Sequence, residues 1–201
     1  MLFSDTYLTI EKNAEAIFKD KGSKFLAFAY PVENDKEIKD ILSRLKKEHH
    51  TANHHCYAYR LGADKLNFRA NDDGEPSNTA GKPILGQIQS NDLTHILIVV
   101  IRYFGGTLLG VSGLINAYKN SAAEVIKVST LVEKQILFSY TVNFPFEQLN
   151  DVMKLIKQLD CKITQQQFDT DCEVSFTIRK ANSEACEEKL KKISGLKLTY
   201  C

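Results

Sequence analysis

Hydrophobic and polar positions along the chain change rhythm near Thr130, and the two rhythms predict two folding units. In the first stretch, "YLTI" (7–10) and "KFLAFAYPV" (24–32), the latter bounded by Gly22 and Pro31, concentrate aromatic and aliphatic residues, a pattern that predicts two early strands. Asn34 then precedes a segment in which Ile38, Ile41, Leu42 and Leu45 recur at helical spacing, with acids early and Lys46 and Lys47 late, as the helix dipole favours. "HCYAYRLG" (55–62) and "LNFRAN" (66–71) flank a turn and predict a strand hairpin. "HILIVVIRYF" (95–104) is apolar at nearly every position, which is the mark of a central strand buried on both faces. Beyond Gly105 and Gly106, Leu114, Tyr118, Ala122, Val125 and Ile126 fall on one face of a further helix.

After Thr130 the order becomes strand (134–144), helix (146–159), two strands (161–168 and 172–180), helix (183–194) and strand (196–200). That βαββαβ order is the split βαβ arrangement of a ferredoxin-like sandwich. The expected class is therefore α+β in two domains, residues 1–132 and 133–201, with the boundary near Leu131 to Gln135.

Composition narrows the function classes by exclusion. With 26 Lys and Arg against 25 Asp and Glu, the formal charge is +1, so any binding of an anion must come from a local patch. The five cysteines are scattered without a CxxC pair, as reduced thiols of a cytoplasmic protein would be. No basic segment followed by an apolar one opens the sequence, and the longest purely apolar run is Ile96 to Ile101. The expected location is the cytoplasm, without a membrane anchor.

Three stretches could carry chemistry. The first is "DDGEPSNTAGKPILG" (72–86): Asp73, Gly74 and Pro76 force a turn, Ser77 or Thr79 can cap the helix that follows, and Pro83 suits its first turn. A helix start with Gly81 and Lys82 offers donors to an anion, while Asp72, Asp73 and Glu75 oppose a simple phosphate cradle. The second is "YFGGTLLGVSG" (103–113), glycine-rich through Gly105, Gly106, Gly110 and Gly113. Val111 stands where a Walker lysine would be, and the dinucleotide GxGxxG spacing is absent. The third is "EHHTANHHCYAYR" (48–60), in which His54 and Cys56 share a strand face without completing a zinc set or a thiol–base pair. Arg60, Phe68, Arg69, Arg102, Tyr103 and Phe104 interleave basic and aromatic character, as a surface for stacking and phosphate contact would, although core-facing aromatics beside solvated arginines are the commoner source of that pattern. No cofactor and no metal is implied.

"KGSKFLA", "HHCYAYRLG", "DDGEPSNTAGKPIL" and "VVIRYFGGTLLGVSGLINAY" closely resemble the YigZ/IMPACT family. The resemblance implies an N-terminal two-layer α/β domain like the second domain of a small-subunit ribosomal protein and a domain of elongation factor G. It also implies a ferredoxin-like C-terminal domain. Eukaryotic relatives act in translational control by binding the scaffold that activates a kinase of the initiation machinery. The implied function is a non-enzymatic binder of RNA, the ribosome or a translation factor, acting through the Asp72–Lys82 and Arg102–Gly113 motifs. Relatives commonly carry glycine at Asn78, lysine near Leu108 and arginine near Asn116, and the last two losses weaken phosphate contact by the glycine-rich loop. The competing reading is a small hydrolase or transferase using Asp72, Asp73 and Glu75 with His54 or Cys56, with or without a metal.

Overall fold

The computed structural model describes residues 5–200, which divide into two compact units: residues 7–134, and residues 135–200 together with Asp5 and Thr6. In the first unit the chain runs β1 (Thr6–Ile10), β2 (Ala14–Asp20), β3 (Ser23–Pro31), α1 (Asp35–Glu48), β4 (His54–Leu61), β5 (Asn67–Asn71), α2 (Gly81–Ser90), β6 (Ile96–Tyr103), α3 (Gly110–Val128) and β7 (Leu131–Gln135). Five strands form one sheet in the order β2-β3-β6-β4-β5, with every pairing antiparallel. β1 and β7 pair separately.

β6 is the centre of this sheet, and its composition explains why. Ile96 to Ile101 are all fully buried. Ile96, Ile98 and Val100 join Ile84 and Ile88 of α2 and Leu114, Tyr118, Ala122 and Val125 of α3 in one core. Leu97, Val99 and Ile101 point the other way, toward Ile38 and Leu45 of α1. Each such aliphatic side chain contributes about 1.5–3 kcal/mol by leaving water. Helices thus cover both faces of this sheet. A strand apolar on both sides demands that second cover.

α1 begins where expected: the Asn34 side chain accepts from Glu37 N–H at 3.0 Å, and the Glu37 carboxylate accepts in return from Glu33 N–H at 2.9 Å. β2 was not among the expected strands. Its inward residues, Ala14, Ala16 and Phe18, are mostly small and alternate with Glu15, Ile17 and Lys19.

The second unit runs β8 (Leu137–Pro145), α4 (Leu149–Gln158), β9 (Lys162–Gln167), β10 (Asp171–Arg179), α5 (Lys180–Leu190) and β11 (Lys197–Tyr200), with a 3₁₀ turn before α4. Its antiparallel sheet has the order β11-β8-β10-β9, which closes a ferredoxin-like βαββαβ unit. Tyr140, Val142, Phe144, Val174, Phe176 and Ile178 supply the sheet side of its core, and Val152, Ile156 and Leu190 the helix side. α5 follows β10 without a loop, and the Asp5 carboxylate accepts from Ala181 N–H at 2.7 Å in its first turn.

Candidate functional site

The turn between β5 and α2 is wound tightly, with Asp73, Gly74 and Asn78 all at positive φ (40°, 88° and 65°). Two carboxylates hold it from within. Asp72 accepts from Asn78 N–H at 2.9 Å, Ala80 N–H at 3.0 Å and Gly81 N–H at 2.8 Å, so one side chain caps the start of α2 from eight and nine residues away. Asp73 accepts from His55 N–H at 2.7 Å and from Lys46 at 3.2 Å, tying the turn to β4 and α1. Gly81 sits against the β5 backbone, where a Cβ would lie 2.5 Å from Asn71 N.

Glu75, the third acid of the motif, is buried with its side chain only 4% exposed. Its Oε1 accepts from Arg102 Nη1 at 2.7 Å and from the Tyr118 hydroxyl at 2.8 Å, which joins the turn to β6 and α3. A charge buried with hydrogen-bonded partners is tolerated where an unpaired one would not be. Cys56 Sγ lies 3.0 Å from Asp72 O and 3.3 Å from the Tyr118 oxygen. Burial pushes both the Cys56 thiol and the Tyr118 phenol well above their ordinary values, so both are protonated donors. His54 Nδ1 is 2.9 Å from Asp73 O, an acceptor, so that nitrogen carries the proton while Nε2 stands 3.8 Å from Glu75 Oε1.

The second motif loop comes back over this network. After Arg102 the chain crosses the Gly22 turn so closely that a Cβ on Gly105 would lie 1.9 Å from the Gly22 carbonyl carbon. Phe104 N–H donates to the Asn53 side chain at 2.9 Å, and the Arg102 guanidinium lies between the Phe25 and Phe104 rings at 5.6 and 5.7 Å. A cavity of about 490 Å³ opens between the turn and this loop. Asn53, His54, Glu75 and Arg102 form its polar part, and Pro76, Phe104, Leu108, Leu109, Val111 and Leu114 its apolar part. Three of the apolar residues face solvent strongly: Phe104 at 46%, Leu108 at 84% and Val111 at 60%.

The structure therefore brings together Glu75, Pro76, Arg102, Phe104 and Gly110 with His54, and separates them from the other expected residues. Thr79 donates its hydroxyl to Pro76 O at 2.6 Å and does not cap α2; Ser77 is exposed. Of the donors expected to meet an external anion at Thr79–Lys82, the Ala80 and Gly81 N–H groups are taken by the Asp72 carboxylate and the Thr79 N–H by Pro76 O. Lys82 borders a separate depression with Pro83, Ile115 and Lys119. Tyr103 alternates to the opposite sheet face and bonds His49 Nδ1 at 2.9 Å. Arg69 is exposed on the edge strand β5, Gly106 is exposed at φ 84°, and Gly113 packs on Leu109. Among the described residues, no group of three or more His, Cys, Asp and Glu side chains is placed to hold a metal ion.

Tyr118 is the network member that pattern reading assigns only to a helix face. A tyrosine on an apolar stripe needs a partner for its hydroxyl, and that need is the one signal in the sequence that could have pointed to it.

Residues 21–126 match the family described as the Impact N-terminal domain. The chain is 34% identical over 181 residues to an IMPACT family member of Haemophilus influenzae, covering 87% of this chain and 86% of that protein. It is 35% identical over 150 residues to the IMPACT family member YigZ of Escherichia coli, covering 74% of each. A solved structure described as that of a hypothetical protein superposes with a TM-score of 0.77 at 29% identity, covering 99% of this chain and 98% of that one.

Proposed function

The chain belongs to the IMPACT family, and from that membership and the geometry of the cavity we propose that it is a non-enzymatic binding protein of the translation apparatus. Its partner is a protein, a component of the ribosome or a translation factor, which docks in the cavity between the Glu75 turn and the Leu108 loop. The observation that carries this reading is the convergence of the two family motifs on a single apolar-walled cavity whose rim leaves Phe104, Leu108 and Val111 in solvent. Exposed apolar residues grouped around a concave site favour a protein contact. RNA finds less here: Arg102, the one Lys or Arg among the described residues that line the cavity, is paired with Glu75, and Leu108 and Asn116 replace the basic residues the family resemblance implies.

A hydrolase or transferase built on Asp72, Asp73, Glu75 and Cys56 draws little support from the geometry. Two of the carboxylates are occupied by backbone N–H groups, Glu75 by Arg102 and Tyr118, and the Cys56 thiol is buried. The location proposed with this function is the cytoplasm; among the described residues no helix is long and apolar enough to cross a membrane.

Affinity capture from native lysate, with and without ribonuclease, tests the proposal. Ribosomal proteins or translation factors should be retained after ribonuclease and lost from the Val111→Lys variant. Association that vanishes with ribonuclease would assign the surface to RNA, and capture unchanged by Val111→Lys would place the partner elsewhere.

A further inference from the structure

We infer that a second surface of the first unit, the groove between α2 and α3, docks an amphipathic helix of a partner protein that carries carboxylates on its flanks. The groove shares no lining residue with the cavity described above, and its occupant is separate from the partner proposed for that cavity.

Two depressions, of about 490 and 390 Å³, follow the seam between α2 and α3 and meet at Gln87, which borders both. One lies beside the first turns of the two helices and the other beside their last turns. On α3 the wall is a stripe at every fourth position, Ile115, Lys119, Ala123 and Lys127. That spacing keeps one helix face toward the groove over about 18 Å, at 1.5 Å per residue. Each depression also holds a large apolar side chain that solvent reaches, Ile115 at 36% exposed in one and Leu131 at 41% in the other.

Charge along the groove has one sign. Among the described residues Lys82, Lys119 and Lys127 line it, no Asp or Glu does, and α2 carries no acid at all. The lysines in ion pairs among the described residues are Lys46, Lys65, Lys134 and Lys191, none of which lies here. Lys127 suits the last turn of α3, where the dipole favours a cation, but Lys82 stands in the first turn of α2, where the dipole opposes one. Like charges lined up along an apolar groove are complementary to an acidic ligand, which relieves their mutual repulsion as it binds.

Gly86 indicates the shape of that ligand. It sits in the middle of α2, where glycine weakens a helix relative to alanine, and a Cβ there would meet nothing within 4 Å. Packing inside the domain therefore does not require the missing side chain, and its absence lets a helix from outside approach closely. α2 and α3 offer no strand edge, so an extended segment would gain no ladder here, whereas a helix arrives with its backbone groups already paired. The apolar stripe of such a helix covers Ile115, Ala123 and Leu131. Acids seven or eight positions apart on its flank meet Lys119 and Lys127, which lie about 12 Å apart along α3. Nucleic acid fits less well, because among the described residues the groove is lined by no arginine and by no aromatic ring on which a base could stack.

The test uses the full chain, labelled with ¹⁵N. The first probe is a mixture of acetylated, amidated peptides of about 14 residues, long enough for a helix that spans the groove. Leucine or isoleucine is drawn at random along one helical stripe of an alanine host, and glutamate is fixed on both flanks. Two control mixtures carry glutamine or lysine in place of glutamate, and a dodecamer of uridylate is the last probe. The glutamate mixture should shift the Gly86, Gln87 and Ala123 amides saturably. The glutamine mixture should bind at least about tenfold more weakly, the combined scale of three exposed ion pairs. Lys119→Glu with Lys127→Glu, both on exposed positions, should reverse the preference toward the lysine mixture. Gly86→Gln places a side chain in the groove and should weaken the glutamate mixture without lowering the thermal midpoint.

Equal affinity for the glutamate and glutamine mixtures overturns the inference, as does the absence of saturable shifts with either. Tighter binding of uridylate at the same amides reassigns the groove to nucleic acid. If sedimentation shows the chain alone to be a dimer that Lys119→Glu with Lys127→Glu dissociates, the occupant is a second copy and the partner helix is overturned.

Discussion

Arg102 and Glu75, 27 positions apart, meet at 2.7 Å with both side chains less than a tenth exposed. One lies at the end of the central strand and the other in the middle of the turn, so this pair holds the two family motifs in register. Removing one partner leaves a buried charge alone. Arg102→Met should cost about 3–5 kcal/mol, and adding Glu75→Leu should recover much of that loss. Urea unfolding of both singles and the double measures the cycle; losses that simply add would show that the pair is not coupled.

Asp72 acts as a cap at a distance. Its carboxylate satisfies three backbone N–H groups, two of them at the start of α2. Asp72→Ala should therefore lower stability by about 2 kcal/mol, the upper end for a lost cap, and Asp72→Asn by less. Hydrogen exchange should report the loss first at Ala80 and Gly81.

His55 makes stability depend on pH. Burial lowers its pKa from the ordinary value, with Asp73 pulling the other way, and its Nε2 has no partner. The folded chain thus binds this proton less readily than the unfolded one. The contribution is fully present above pH ~6.5, the unfolded value, and is lost progressively as pH falls through the lower folded value. Urea midpoints at pH 7.5 and 5.5 should differ less in His55→Asn than in the parent, and an unchanged difference would assign the dependence to other groups.

Cys56 should resist alkylation. Its thiol is fully buried, and burial raises its pKa. At pH 8, iodoacetamide should leave Cys56 unmodified in the native chain and label it in urea, as peptide mass mapping would show. Native labelling of Cys56 at the rate of a free thiol would mean that the turn opens readily.

Much of this architecture could be read before any coordinates. The unbroken apolar run of β6 required cover on both faces, the spacing of Ile38, Ile41, Leu42 and Leu45 marked α1, and the strand–helix order after Thr130 marked the ferredoxin-like unit. β2 escaped because alanines at its inward positions give a faint alternation. The site was legible as two motifs but not as a network. Tyr118 reaches Glu75 across 43 positions, and Asp72 turns back on residues local rules would have capped with Thr79. Which acid meets a cation and which meets backbone is a matter of tertiary placement, and residue type cannot distinguish Asp72 from Glu75.

The Gly22–Gly105 crossing bears on how this domain can be edited. Two backbones touch there with no room for a methyl group on Gly105, so the "KGSKF" and "RYFGG" segments behave as halves of a single joint although 83 positions separate the glycines. Swapping either segment for one from another protein changes the mating surface of its counterpart. A chimera that exchanges the cavity loop alone would have to reproduce the Gly22 turn as well, and the smallest transferable piece is the pair.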